Sequence, residues 1–176
     1  MSADTTVTFF RPSGLRRWGL AALIALLPLT AAAQAKGWLV FDAKSEDAVM
    51  ISDPGEKNRL LDGPWQIDGQ FRYLDPGVVG AKALHRLARA GANRTERVMA
   101  TNPDEVQACV AAGYVDEGVL GFVLPGPGAA PRLPVYRYRK GERSLWLMGD
   151  EGRKWAEAGG WKTDGPAFWV DPLDGP

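Results

Sequence analysis

Residues that carry chemistry are scarce in this sequence, which has one cysteine, Cys109, and one histidine, His85, in 176 residues. A lone cysteine forms no internal disulfide, so packing must supply the stability. No HExxH, paired-cysteine or calcium-loop spacing occurs, and neither residue has a partner of its own kind. That gives the usual metal centres no support and makes a nucleophile–base pair, and with it a hydrolase, the third choice among the readings; no cofactor is expected. Cys109 shares a helical stripe with Val106 and Val110, the pattern of a buried small hydrophobe. His85 lies in a strand-like run with Phe41 and Tyr136 as its counterparts, which reads as structural filler.

An excess of one charge is missing too, since 21 basic residues balance 21 acidic ones. This leaves no electrostatic footprint for nucleic acid or an anionic membrane. A long hydrophobic run is also absent: the apolar stretch from Gly19 to Leu29 is too short for a bilayer, which takes about 20 residues. Arg11, Arg16 and Arg17 precede that stretch and Ala31-Ala32-Ala33-Gln34-Ala35 follows it. This is the order of a cleavable export signal, with cleavage expected after Ala35 and Sec export favoured over the twin-arginine route. Residues 1–35 are therefore expected to be a signal peptide, and 36–176 a single secreted or periplasmic domain with no membrane span.

Three repeats stand out. Val49-Met50-Ile51-Ser52, Val98-Met99-Ala100-Thr101 and Leu147-Met148-Gly149-Asp150 are evenly spaced. Each is followed by an aromatic, two residues, an acid and a glycine: Trp65 to Gly69, Tyr114 to Gly118 and Trp161 to Gly165. A fixed period is the mark of a repeat architecture, and it predicts that Met50, Met99 and Met148 are interior and equivalent. β-favouring runs lie upstream of each methionine and downstream of each glycine. Asp53-Pro54 and Asn102-Pro103 offer an N-cap and a proline at the first helical position, with Glu56 and Glu105 as capping-box acids; the third copy keeps only Asp150 as cap. Asp75-Pro76-Gly77 and the run from Pro125 to Pro131 separate the copies.

The expected fold is mostly β with one short helix per repeat: three pseudo-symmetric strand-strand-helix-strand repeats over 37–76, 82–125 and 133–172. One unit has too few strands to bury its own apolar face, so the three are expected to close around a shared core. A β-trefoil-like closed arrangement is preferred over a small propeller. The recurring Asp68, Glu117 and Asp164 either gather into a cation site or, the preferred reading, each order their own turn.

Leu133-Pro134-Val135-Tyr136-Arg137-Tyr138 and the segment from Asn102 to Gly118 resemble the repeat of the DUF5648 family. Its units begin Pro-Val-Tyr-Arg and continue through a His-Phe-Tyr-Thr strand, an acid- and alanine-rich helix and a Gly-Trp-x-x-Glu-Gly turn. The resemblance covers nearly all of residues 37–172. It implies an exported domain, often appended to secreted hydrolases, for which glycan or surface attachment is inferred. This chain lacks the histidine of that strand in every copy; the family's arginine is kept as Arg86 and Arg137, with Asp42 in its place in the first copy.

Aromatic residues concentrate in the third copy. Tyr136 and Tyr138 alternate around Arg137, so one strand face can present rings and the other a guanidinium. Trp146, Tyr136, Arg137, Tyr138 and Arg139 are the expected ligand-binding residues, with rings stacking on a sugar's C–H face and arginines bonding its hydroxyls. The leading expectation is a non-enzymatic module that binds glycans or cell-envelope polymer. Docking to another secreted protein, as an interaction, accessory or inhibitor component, is the alternative.

Overall fold

A computed structural model of the chain describes residues 35–91, 94–129 and 131–173. All but Ala35 of the expected signal peptide lies outside the described residues. The chain runs through three units of the same element order. The first comprises β1 (Lys36–Asp42), β2 (Asp47–Ile51), α1 (Pro54–Leu61) and β3 (Gln66–Arg72). The second has β4 (Lys82–Ala90), β5 (Thr95–Ala100), α2 (Pro103–Ala111) and β6 (Val115–Val123). The third has β7 (Leu133–Lys140), β8 (Arg143–Leu147), α3 (Asp150–Ala158) and β9 (Lys162–Val170).

Each unit forms a three-stranded antiparallel sheet with its first strand in the centre, in the orders β2-β1-β3, β5-β4-β6 and β8-β7-β9. The outer strands run parallel to each other, so a helix must carry the chain from one edge to the other. The first two helices start as the sequence dictates. Asp53 accepts the Glu56 N–H at 2.6 Å and Asn102 that of Asp104 at 2.9 Å, each ahead of a proline that has no N–H to satisfy. The third departs from expectation: its N-cap is Gly149, which has no side chain to donate to, and Asp150 is already the first helical residue.

The acid-glycine pairs also differ from the expected turns, because the last strand of each unit runs straight through them. Gly118 and Gly165 sit at bulges with φ of 99° and 91°, a region that glycine enters without penalty. Asp116 and Thr163, rather than Glu117 and Asp164, take their N–H groups.

Among the described residues no sheet is closed on itself. Three isolated bridges join the units instead: Arg72 with Asp171, Leu74 with Phe122 and Leu124 with Trp169. All three units feed one core, in which Leu39, Met50, Phe71, Leu84, Val123, Val135, Trp146 and Phe168 are buried together. Cys109 is only half-buried and its stripe partner Val110 is exposed, so that face of α2 stays outside the core. Among the described residues no helix is long and apolar enough to cross a membrane.

Candidate functional site

Equivalent positions in the three units follow from the helix starts. Met50 and Met99 stand three residues before the N-caps Asp53 and Asn102; three residues before Gly149 stands Trp146. Trp146 is thus the third member of the set, 1% exposed beside Met50 at 0% and Met99 at 3%. Met148, which carries the sequence period, lies just beyond β8 and is half-buried. The expectation of three equivalent methionines is corrected accordingly. The cause is the third hairpin, in which two residues separate β7 from β8, where four separate β1 from β2 and β4 from β5.

The same register aligns Leu39, Arg86 and Arg137, which pair with Met50, Met99 and Trp146. Leu39, not Asp42, therefore replaces the arginine in the first unit. Both arginines reach back across a unit boundary to the third helical residue of the preceding unit. Arg86 Nη1 donates to both oxygens of Glu56, at 3.0 and 3.1 Å, and Arg137 Nη1 to Glu105 at 3.1 Å. The expected capping-box acids are thus turned toward neighbouring strands.

Between the third unit and the first the pair is gone, because Gly152 stands where Glu56 and Glu105 stand and Leu39 stands where Arg86 and Arg137 stand. Asp68 fills the space. Its carboxylate accepts the N–H groups of Met148 at 2.6 Å and Gly149 at 2.9 Å, and a Cβ on Gly149 or Gly152 would run into it. Burial raises the Asp68 pKa above the ordinary carboxylate value, against the pull of the two N–H groups.

The two arginine seats differ in what surrounds them. Arg86 is enclosed: its Nε donates to Glu117 at 2.6 Å and its Nη1 also to the Met50 carbonyl at 3.2 Å. Burial disfavours its charge, but Glu56 and Glu117 outweigh that and raise its pKa. Arg137 has no second carboxylate, because Asp164, the counterpart of Glu117, pairs with Arg139. Its Nε is left with the Ser144 hydroxyl at 3.4 Å.

Open space remains on two sides of Arg137. One hollow of about 210 Å³ is lined by Thr101, Glu105, Trp146 and Asp164 among others. A larger cleft of about 480 Å³ brings Arg137 and Ser144 together with Arg89, Glu96 and Tyr114. Glu96 is ordered by Arg89 at 2.7 Å and by the Tyr114 hydroxyl at 3.1 Å, which hold its pKa below the usual value. Such a lining offers fixed donors and acceptors side by side, suited to groups that both give and take hydrogen bonds.

Of the five expected ligand residues, the structure brings Arg137 to open space with Ser144 and Glu105. It corrects two others: Trp146 and Tyr138, 1% and 0% exposed, are core residues, because β8 is buried at Leu145, Trp146 and Leu147 in succession and Tyr138 pairs with Leu145 there. Neither ring face is free for stacking. Tyr136 is half-buried with the Arg153 guanidinium 4.0 Å from its ring centre, and Arg139 is exposed in its pair with Asp164. Asp68, Glu117 and Asp164 turn to three different partners, and among the described residues no His, Cys, Asp or Glu group is arranged to hold a metal. Sequence spacing did not reveal Glu105, Ser144 or Tyr114 as neighbours of Arg137; the helix-start acid and the family arginine were the usable signals.

Residues 36–171 match the model of a family described as a domain of unknown function (DUF5648). The chain belongs to the DUF5648 family. The match takes in all nine strands and three helices of this DUF5648 domain. No curated protein and no solved structure matches it.

Proposed function

We propose that this DUF5648 protein is a non-enzymatic, exported binding module for a hydroxyl-rich polymer, a glycan or another cell-envelope polymer, held at Arg137. One observation carries the reading: equivalent guanidiniums are enclosed by two carboxylates at Arg86 but left with one carboxylate and open space at Arg137. A sugar hydroxyl both donates and accepts. It can take the free N–H groups of Arg137 while giving its proton to Glu105 or Asp164. The site is led by hydrogen bonds, and ring stacking has at most a secondary part.

The leader-like order of residues 1–35 supports an extracytoplasmic location. The three bridges, each linking a different pair of units, support a pseudo-threefold, trefoil-like closure that would keep the two arginines at equivalent positions of the fold.

Exposed Val110, Val115 and Val119 on the second unit favour a second reading, docking of a secreted protein partner. Calorimetric titration of the protein with envelope oligosaccharides separates the two. Glycan binding weakened at least tenfold by Arg137→Ala and unchanged by Arg86→Ala supports the proposal. Absence of heat with every glycan overturns it in favour of the docking reading.

A further inference from the structure

The three units also differ in the groove between the first strand and the helix. Trp38, His85 and Tyr136 are equivalent, each pairing with the residue two before the N-cap: Ile51, Ala100 and Leu147. Opposite them on the helices stand Lys57, Val106 and Arg153, equivalent because each donates its backbone N–H to the N-cap carbonyl. In the first unit Lys57 Nζ lies 5.0 Å from the Trp38 ring centre, and Lys36 Nζ lies 5.4 Å from it. In the third unit Arg153 lies 4.0 Å from the Tyr136 ring centre. A cation over an aromatic face is favourable, so ring and cation together fill the groove in both units.

The second unit lacks such a pair. Its ring is the smaller imidazole of His85, held to Asp116 at 2.9 Å, and valine replaces the cation. A hollow of about 550 Å³ opens there, with Ala83, Pro103, Val106 and Pro125 as apolar walls and Lys82 also on the lining. Lys82 begins β4 as Lys36 begins β1. Ala83, two before His85, is the register counterpart of Lys36, and Lys82 beside it brings a cation to the lining where no large ring stands.

We propose that this hollow is a binding site for a small planar aromatic group of indole or phenol size, which takes the place that Trp38 and Tyr136 fill in the sibling units. Apolar walls suit the ring, Lys82 suits its π face, and no carboxylate lines the hollow to oppose an electron-rich ring. Arg137 does not line this hollow, which shares Thr101 with the hollow beside Arg137, and the proposal stands whether or not the glycan reading does.

The test is an amide-resolved NMR titration of the protein with indole, with cyclohexylmethanol as a non-aromatic control. Indole is expected to shift the amides of Lys82, His85 and Val106, and the control to leave them in place. The double variant His85→Trp, Val106→Lys imports the first unit's pair and should abolish these shifts while raising the melting temperature. Should it fail to fold, His85→Tyr with Val106→Arg imports the third unit's pair for the same purpose. Indole shifts that are absent, that fall elsewhere, that the control matches or that survive the filled groove would overturn the proposal.

Discussion

Asp68 accepts the N–H of Gly149 at 2.9 Å, so a carboxylate from the first unit stands at the N-terminus of a helix in the third whose own N-cap is glycine. A negative charge there also meets the positive end of the helix dipole. Asp68→Ala leaves the Met148 and Gly149 N–H groups without their acceptor and should cost about 1–3 kcal/mol in a denaturant titration. Gly152→Ala should be destabilising through a collision with the same carboxylate.

The pH dependence of this contact has a definite sign. Burial raises the folded-state pKa of Asp68, so its proton is held more tightly in the folded protein. Its contribution is fully present below the ordinary carboxylate pKa of about 4 and is lost as pH rises through the higher folded value. The stability of the wild type relative to Asp68→Asn should therefore fall on going from about pH 3 to about pH 7, measured by urea unfolding.

The helix caps should differ in energy as they differ in geometry. Asp53→Ala and Asn102→Ala each remove a side-chain acceptor and should cost about 1 kcal/mol. Asp150→Ala should change stability by less than about 0.5 kcal/mol, because that side chain caps nothing and is mostly exposed. Equal losses at all three sites would place the third helix start where the sequence alone suggested it.

Trp146→Ala should behave as a core truncation, costing about 3–5 kcal/mol, and Met50→Ala about 2–5 kcal/mol. Met148→Ala should cost less than Met50→Ala, since Met148 is only half-buried. The order of the three thermal midpoints checks the assignment of equivalent positions.

Much of this fold was legible because its signals are local. Asp53-Pro54 and Asn102-Pro103 fix two helix starts by their own chemistry, and β-favouring runs on either side give the strands. The third unit misled because Met148 kept the period while the shortened hairpin at 141–142 moved the helix start toward the N-terminus; a spacing shows repetition but not where a loop has lost residues. The candidate site was legible only as Arg137. Its surroundings come from Glu105 and Tyr114 in another unit and from a hairpin partner, and sequence spacing does not say which side chain crosses a boundary. Trp146 was misread because an aromatic at a strand position looks the same in sequence whether the strand turns it outward or inward.

The claim that function lies where equivalent positions differ rests on Arg86 and Arg137. The most direct measurement follows the side-chain Nε–H resonances of both arginines by NMR while envelope oligosaccharide is added. A progressive shift of the Arg137 signal with the Arg86 signal unmoved is the expected result. An unmoved Arg137 signal under saturating glycan, or equal shifts at both arginines, would contradict it.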